Sequence, residues 1–262
     1  MTRYAAAVLS LTLAAGAAPA AVKTETVEYE AGGTKLKGFL AYNDEVSATR
    51  PGVIVFPEWW GLNDYAKDRA KQLAGMGYVA FAADLYGDGK VIDIAHPQDA
   101  AKMAGTLRAN VGAWRARAEA AMKQLTSRPQ VDSKRIAAIG YCLGGSTALQ
   151  LAYSGADLKA VTTFHAALPT PTAAEAMAVK AKILVCHGDA DSFIPAKAIT
   201  DFKAALNGAK VGLDFVGYPN VVHSFSVPTA DKVGNPGMKY DKAADEDSWK
   251  RMTALFRQEL GR

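Results

Sequence analysis

One cysteine of this chain stands in a setting that suits a nucleophile. Cys142 lies in Gly140-Tyr-Cys-Leu-Gly144, between a strand-like run at Arg135–Ile139 and a helix-like run at Gly145–Ala152. This is the strand–turn–helix context of the nucleophile elbow Gly-x-Ser-x-Gly, with cysteine in the place of serine. Flanking glycines permit a sharp turn, and amide groups at a helix start favour negative charge. Because the thiolate is the reactive form of cysteine, the pattern predicts a nucleophile; the alternative is a buried core cysteine.

An acid and a histidine follow later strand-like runs. Asp189 and Asp191 come after the run Ile183–His187, and His223 comes after the run Leu213–Tyr218. A histidine can accept and return a proton at neutral pH, and an aspartate can orient its ring. Nucleophile, acid and histidine, in that order along the chain, is the order of an α/β-hydrolase triad. The alternatives are a turn-forming aspartate and a surface-loop histidine.

The elements that must position these residues alternate between strand and helix. This alternation predicts one α/β domain over 21–262, with a mostly parallel, doubly wound sheet of about eight strands and helices on both faces. Only Ala31-Gly-Gly33 separates the first two strands, which predicts an antiparallel hairpin. Strands are predicted at Thr24–Glu30, Leu36–Tyr42, Gly52–Phe56, Tyr78–Ala83, Arg135–Gly140, Ala160–Phe164, Ile183–His187 and Leu213–Tyr218. Helices are predicted at Tyr65–Gly75, Gln98–Leu125, Leu143–Tyr153, Ala196–Leu206 and Lys242–Leu260, with a loop or small helical insert at Leu168–Val179.

The first twenty residues have the pattern of an export signal. Arg3 supplies positive charge, Val8–Ala15 is a short apolar run, and Ala18-Pro-Ala20 fits a small-x-small cleavage site. We therefore predict a cleaved signal peptide over residues 1–20 and a secreted or periplasmic mature protein; an uncleaved membrane anchor is the alternative. After Ala20 no segment is long and apolar enough to cross a membrane.

Composition narrows the classes of partner. The formal net charge is only +4, and no basic stripe with interleaved aromatic residues indicates nucleic-acid binding. No spacing typical of a metal site or a phosphate-binding loop is present, so no metal or cofactor is expected. Cys186 lies in an apolar strand-like run and is expected in the core, although an oxidising compartment could pair it with Cys142. The sequence leaves open whether the protein is a monomer or a homodimer.

Five motifs together resemble the dienelactone hydrolase family, the cysteine branch of the α/β hydrolases. They extend from about Gly33 to the C-terminus and comprise Pro57-Glu58 with Gly61-Leu-Asn63, Asp84-Leu-Tyr86, Gly140-Tyr-Cys-Leu-Gly-Gly145, Gly188-x-x-Asp191-x-Phe-x-Pro195 and His223-Ser-Phe225. The resemblance implies the α/β-hydrolase fold and a hydrolase that cleaves a small carboxylic ester or lactone through an acyl-thioester. It implies Cys142 as nucleophile, His223 as base and Asp191 as the orienting acid.

The resemblance also assigns a role to Glu58, next to two tryptophans. In the family this glutamate interacts with the resting cysteine and helps to form the thiolate when substrate arrives; a solvated loop glutamate is the alternative. Two backbone amides are expected to bind the oxyanion. They belong to Leu143, directly after the nucleophile, and to Trp59, in the loop after the Gly52 strand.

The nature of the substrate is the least constrained part of the prediction. Aromatic residues near the expected site suggest an apolar wall, with core packing as the alternative for each: Trp59, Trp60, Tyr86 and Phe225. The family holds a substrate carboxylate with arginines, but Ser226-Val227 stands where one would follow the His-Ser-Phe motif. We therefore expect a preference for a neutral ester or lactone, unless Arg108, or Arg115 or Arg117 on the same predicted helix, supplies the cation. His165 is expected to be a core histidine that could instead line the site.

Other functions remain compatible with these residues. A thioesterase or acyltransferase could use the same triad, and a binding protein could retain the fold without activity. A thiol-redox protein is a further class, but the chain lacks a Cys-x-x-Cys motif.

Overall fold

The computed structural model describes residues 22–44 and 48–261, so the predicted signal peptide lies outside the described residues. The strands are β1 (Val22–Ala31), β2 (Thr34–Asn43), β3 (Arg50–Phe56), β4 (Val79–Ala82), β5 (Val131–Tyr141), β6 (Ala160–Phe164), β7 (Lys182–Gly188) and β8 (Leu213–Tyr218). The helices are α1 (Asp64–Gly75), α2 (Pro97–Ala109), α3 (Val111–Thr126), α4 (Leu143–Tyr153), α5 (Ala173–Ala178), α6 (Ala196–Gly208) and α7 (Lys242–Leu260), with a 3₁₀ turn at Ala230–Val233.

The strands form one eight-stranded sheet in the order β1-β2-β4-β3-β5-β6-β7-β8. The predicted hairpin of β1 and β2 is antiparallel, and β2 also pairs antiparallel with β4. Every neighbouring pair from β4 to β8 is parallel. The predicted fold class, a mostly parallel sheet of about eight strands, is confirmed.

Two hydrophobic cores cover the two faces of the sheet. Strand β3 sends Ile54 and Phe56 into one core and Val53 and Val55 into the other, as the alternation of side chains along a strand requires. Helices α3 and α4 contribute to the first core, and α1 and α7 contribute to the second. Because both faces are covered, the inner strands are buried on both sides and mostly apolar, without a polar–apolar alternation. No helix within the described ranges is both long and apolar enough to span a membrane.

The prediction of one helix over Gln98–Leu125 is wrong, because the chain breaks at Asn110. This residue has φ −124° and ψ 82°, outside the helical region, and its side chain accepts a hydrogen bond from the Ala113 amide at 3.0 Å. Asparagine is a favoured N-cap because its side-chain oxygen satisfies an amide that has no partner within the helix. The break ends α2 at Ala109, one residue after Arg108, and α3 begins at Val111. The small helical insert expected within Leu168–Val179 is present as α5.

The parallel strands bring the polar residues of the sequence motifs to one edge of the sheet. The carboxyl ends of β3 to β8 share this edge, where ligands bind in doubly wound folds. The residues that follow these ends are Glu58 after β3, Asp84 after β4, Cys142 after β5, His165 after β6, Asp191 after β7 and His223 after β8.

Candidate active site

The turn between β5 and α4 holds Cys142 in a strained backbone conformation. Its φ is +51°, in a region that L-residues other than glycine rarely adopt. The flanking glycines allow close backbone contacts: a Cβ on Gly144 would lie 2.0 Å from the carbonyl oxygen of Phe56, and one on Gly140 would lie 2.0 Å from that of Gly144. Side chains at either position would therefore push the turn out of shape. Backbone strain of this kind is typical of functional sites.

His223 connects the cysteine with an acid. Its Nδ1 lies 2.6 Å from Oδ2 of Asp191, and on its other side the ring forms a hydrogen bond with Cys142. The other carboxylate oxygen of Asp191 accepts a hydrogen bond from the Phe193 amide at 2.9 Å, which fixes its orientation. Asp189, the competing acid in the sequence, is exposed. The structure therefore brings together Cys142, His223 and Asp191 in the arrangement of a triad.

Charge within this arrangement favours a protonated histidine. Burial lowers the pKa of His223, but the negative charges of Cys142 and Asp191, and the hydrogen bonds to them, raise it further, to about 10. The raised pKa makes His223 a strong acceptor for the Cys142 proton. The geometry thus suits transfer of the Cys142 proton to His223, which produces the thiolate, the form of cysteine that attacks carbonyl carbons.

Glu58 is a buried carboxyl group near His223. Its side chain is 2% exposed, and burial raises its pKa to about 7, a rise that the charge of His223 and a hydrogen bond from Ser224 partly offset. The Ser224 hydroxyl donates to Oε1 of Glu58 at 3.1 Å. Glu58 is therefore a buried carboxyl group that changes its charge near neutral pH, with Ser224 rather than Cys142 as its hydrogen-bonding partner.

The two backbone amides predicted to bind the oxyanion, those of Leu143 and Trp59, have no hydrogen-bond acceptor in the described structure. The loop that carries Trp59 is fixed by the Tyr86 hydroxyl, which donates to the Trp59 carbonyl oxygen at 2.9 Å. Asp84 in turn holds the Tyr86 loop, because its carboxylate accepts hydrogen bonds from the amides of Tyr86, Gly87 and Gly89.

A cavity of about 300 Å³ opens beside the cysteine. Its lining is mostly apolar and includes Trp59, Arg108, Cys142, Ala167, Phe193, Ile194, His223, Asn235 and Met238. Arg108 is the arginine that lines it. Arg115 pairs instead with Glu175, and Arg117 donates to the Leu85 carbonyl oxygen.

Three of the four aromatic residues predicted for the substrate wall do not line this cavity. Trp60 is buried against Trp59, with ring centroids 5.0 Å apart. Tyr86 supports the Trp59 loop from behind through its hydroxyl group. Phe225 is fully buried and packs against Tyr218 and against His165, because the chain turns inward after His223. Trp59 alone of the four lines the cavity among the residues described.

Sequence reasoning missed five residues of the cavity wall, one of which is Ala167 in the loop between β6 and α5. Phe193 and Ile194 fall within a quoted motif, between Asp191 and Pro195, and their apolar character was the available signal. Asn235 and Met238 lie in an irregular segment with no periodicity to place it. This segment reaches the site because the His223 amide donates to the Gly237 carbonyl oxygen at 3.1 Å.

A model of the dienelactone hydrolase family matches residues 36–260, nearly all of the described chain. The chain belongs to this family. A dienelactone hydrolase-like promiscuous phosphotriesterase from metagenomic libraries is 40% identical, with a TM-score of 0.86, and the match covers 92% of this chain and 99% of that one. A solved structure named m3DLH is also 40% identical, with a TM-score of 0.88 over 91% of this chain and 99% of that chain. A Saccharolobus solfataricus protein, named as a candidate carboxymethylenebutenolidase, is 28% identical over 265 residues, which are 88% of this chain and 96% of the relative.

Membership of this family makes the chain a dienelactone hydrolase-like hydrolase. Within the described ranges no group of three or more histidine, cysteine or acidic side chains could hold a metal ion. The residues gathered at the sheet edge are a cysteine, a histidine and an aspartate, with the Leu143 and Trp59 amides predicted as oxyanion donors. Such a set suits covalent hydrolysis of an acyl group.

Proposed function

We propose that this chain hydrolyses a carboxylic ester or lactone by covalent catalysis at Cys142. One observation carries the proposal: His223 is hydrogen-bonded to Asp191 on one side and to Cys142 on the other. A base held between an acid and a nucleophile can transfer protons in both halves of an acyl-transfer reaction.

The first half of the reaction forms an acyl-enzyme. The Cys142 thiolate attacks the carbonyl carbon, and the carbonyl π electrons move to the oxygen, which the Leu143 and Trp59 amides bind. The intermediate collapses, the bond to the leaving oxygen breaks, and that oxygen takes the proton of the His223 imidazolium. In a lactone the leaving oxygen remains attached to the acyl group, so no fragment departs at this step.

The second half regenerates the enzyme. Neutral His223 accepts a proton from water while the water oxygen attacks the thioester carbon. The second tetrahedral intermediate expels the Cys142 thiolate and releases the carboxylic acid. Asp191 orients the His223 ring and stabilises the imidazolium that forms at each proton transfer. We assign Glu58 the role that the family resemblance implies, which is to help form the thiolate when substrate arrives.

The lining of the cavity supports an anionic substrate. The expectation of a neutral substrate assumed that no arginine reaches the site, but Arg108 lines the cavity that contains Cys142. A guanidinium binds a carboxylate through charge-assisted hydrogen bonds. We therefore revise the expectation: the substrate is an ester or lactone with an apolar body and a carboxylate that reaches Arg108.

Phosphotriester hydrolysis is a second candidate activity. The observation that favours it is the 40% identity, over 92% of this chain, to a protein named as a promiscuous phosphotriesterase. The same thiolate could attack phosphorus and expel an aryloxide that takes the His223 proton, with the oxyanion amides bound to the phosphoryl oxygen; water deprotonated by His223 would then break the phosphorus–sulfur bond and release the thiolate. Hydrolysis of a neutral aryl phosphotriester by the wild type and by Cys142→Ala tests this activity. Equal rates for the two proteins would exclude it.

Export is part of the proposal. Its support is the Arg3, Val8–Ala15 and Ala18-Pro-Ala20 pattern, which is typical of a cleaved signal peptide. Expression of the full chain in a bacterial host, followed by intact-mass measurement of the periplasmic fraction, tests it. We expect a chain that begins at or near Ala21, and a mass that includes Met1–Ala20 would contradict the proposal.

A panel of chromogenic esters and lactones tests the proposed activity. Cys142→Ala is expected to lower turnover by roughly 10⁴- to 10⁶-fold, as removal of a covalent nucleophile does elsewhere. Cys142→Ser should retain slight activity, because the elbow also suits serine. Cys186→Ala is the matched control and should retain most activity. Comparable losses in Cys142→Ala and a folded Cys186→Ala would show that the nucleophile is wrongly assigned. If the wild type hydrolyses no ester or lactone of the panel although iodoacetamide alkylates its Cys142, a thioesterase, an acyltransferase or a silent binding protein would be favoured.

A further inference from the structure

A second histidine lies beside the candidate base and has no part in the proposed reaction. His165 directly follows β6 at the carboxyl edge of the sheet and is fully buried. Its φ is +41°, in the left-handed region that a residue with a side chain occupies only when its surroundings enforce it. Backbone strain of this kind is concentrated at functional sites, which makes His165 a candidate for a role beyond packing.

The ring of His165 contacts the ring of His223. Their centroids lie 5.0 Å apart and their planes meet at 68°. Phe225 packs against His165 at 5.3 Å and 83°, on the side of the protein core. On the cavity side, Phe193 packs against His223 at 5.3 Å but is 48% exposed. His165 is therefore the buried member of the two rings that contact the base.

A chain of hydrogen bonds holds His165 in turn. Its Nε2 lies 2.9 Å from the Ser226 hydroxyl, which lies 2.9 Å from the Tyr65 hydroxyl. Arg69 donates to the Tyr65 hydroxyl at 3.2 Å and is itself paired with Asp245 in the protein interior. The Tyr65 hydroxyl also donates to the Ser226 carbonyl oxygen at 2.9 Å, so Ser226 is held through both its side chain and its backbone. The Nδ1 atom of His165 has no hydrogen-bonding partner within the described residues.

We propose that His165 is a positioning residue that holds the His223 ring in line with Cys142. Asp191 anchors the His223 ring at Nδ1 but does not by itself prevent the ring from turning about that bond. A neighbouring ring fixed through Ser226 restricts this rotation and keeps the hydrogen bond to the sulfur. The inference rests on the proposed function, in which His223 is the base.

The charge state of His165 is compatible with this role. Burial and the charge of His223 lower the pKa of His165 well below its ordinary value, so the ring is neutral. A neutral ring supports the imidazolium without repelling it. The other titratable groups that act on His223 are Cys142, Asp191 and Glu58, and the nearby His187 is affected by its charge.

A packing role and a positioning role make different predictions. If His165 only fills space, phenylalanine should replace it, and loss of the Ser226 hydroxyl should not affect the reaction. If it positions His223, both His165→Phe and Ser226→Ala should weaken the contact between His223 and Cys142. Thr162→Val is the matched control, because Thr162 lies on β6, is fully buried, and has a hydroxyl with no partner within the described residues.

The experiment measures Cys142 alkylation by iodoacetamide from pH 5 to pH 9, together with kcat and KM for an ester. We expect His165→Phe and Ser226→Ala to slow alkylation at neutral pH by about tenfold, to move the alkylation profile to higher pH, and to lower kcat about tenfold with little change in KM. Thr162→Val should match the wild type in each measurement. Thermal melting identifies variants that do not fold. If His165→Phe does not fold, Ser226→Ala alone tests the positioning role.

Two outcomes separate this inference from the proposed function. Folded variants that alkylate Cys142 at the wild-type rate and keep the wild-type pH profile would overturn the positioning role. Ester hydrolysis that survives Cys142→Ala would overturn the proposed function, while the alkylation profile would still report whether His165 positions His223.

Discussion

His223 and Glu58 are buried ionisable residues of the candidate site, and their surroundings act on them in opposite ways. Burial lowers the pKa of His223, but Cys142 and Asp191 raise it further through charge and hydrogen bonds, so its charged form is favoured. Glu58 has one neutral hydroxyl partner, Ser224, so burial disfavours its charged form. The site therefore combines a histidine that binds a proton tightly with a carboxyl group whose proton is loosely held at neutral pH.

This difference predicts a pH-dependent effect of Glu58→Gln on stability. The pKa of Glu58 is raised from 4.5 to about 7, so the folded state binds this proton more tightly than the unfolded chain. Ionised Glu58 destabilises the fold progressively from about pH 4.5, and the full effect, about 3 kcal/mol, is reached above pH 7. Glu58→Gln removes it, so the variant should gain about 2 kcal/mol more over the wild type at pH 8 than at pH 5.

Urea unfolding at the two pH values measures this gain. The matched control is Glu119→Gln, because Glu119 is exposed on α3. It should show nearly the same difference from the wild type at both pH values. A Glu58→Gln gain that does not change with pH would mean that Glu58 has an ordinary pKa.

Arg108 determines the expected preference for charged substrates. Arg108→Gln should lower kcat/KM for a carboxylated ester by about tenfold, since an exposed arginine makes a charge-assisted contact at the weaker end of the usual range. The rate for the neutral analogue should not change. Lys102→Gln, on the same helix but outside the cavity, is the control. Equal losses for both substrates, measured at one ionic strength, would contradict a carboxylate-binding role.

At the scale of secondary-structure elements, the β5–α4 turn illustrates how backbone packing forms the site. Gly144 lies against the end of β3, with no space for a side chain near the Phe56 and Pro57 carbonyl oxygens. This contact joins the loop that carries Trp59 to the turn that carries Cys142. The distance between nucleophile and oxyanion amides thus depends on a glycine.

Gly144→Ala should therefore destabilise the fold strongly. Its Cβ would meet backbone atoms that cannot rotate away, so we expect the free energy of unfolding to fall by about 3 kcal/mol or more, at the upper end of overpacking effects. Gly105→Ala is the matched control, because Gly105 lies in α2 and no atom is within 4 Å of its Cβ position. It should stabilise by about 0.5–1 kcal/mol. Denaturant unfolding of both variants is the measurement, and a Gly144→Ala protein as stable as Gly105→Ala would contradict this account.

The sequence predicted the residues that follow strands, but it did not predict the break between α2 and α3 or the irregular segment in the cavity wall. Cys142, Asp191 and His223 could be placed at one edge because each follows an apolar strand, and the ends of parallel strands meet. The break at Asn110 could not be predicted from periodicity, because both helices present alanine-rich apolar faces with the same spacing. The wall formed by Asn235 and Met238 could not be predicted either, because hydrogen bonds to distant residues determine its irregular backbone.

At the scale of the whole molecule, strand order assembles the site. Strands β5, β6, β7 and β8 are consecutive neighbours in the sheet, so Cys142, His165, Asp191 and His223 follow adjacent strands. Alternation of strands and helices predicted the parallel sheet, because right-handed strand–helix–strand units form it almost without exception. Which side chains enter the cavity could not be derived in this way, since Phe225 and Phe193 are both aromatic, both close to the triad in sequence, and differ only in the local turn.

The state of the two cysteines is a further property of the whole chain. Both are free thiols in the structure, and burial raises the pKa of Cys186 to about 12. We expect a thiol reagent to titrate two thiols per unfolded chain without a reductant, and one, Cys142, in the folded protein. Recovery of no free thiol after unfolding would indicate a disulfide between them and would remove the nucleophile.

The most direct test of the account is to trap the acyl-enzyme and locate it. A slowly hydrolysed aryl ester is mixed with the protein, the reaction is quenched in acid, and the intact mass and peptide masses are measured. The account predicts a single acyl group on Cys142, formed in the wild type and in Cys186→Ala and absent from Cys142→Ala. An acyl group on another residue, or turnover by Cys142→Ala at the wild-type rate, would contradict it.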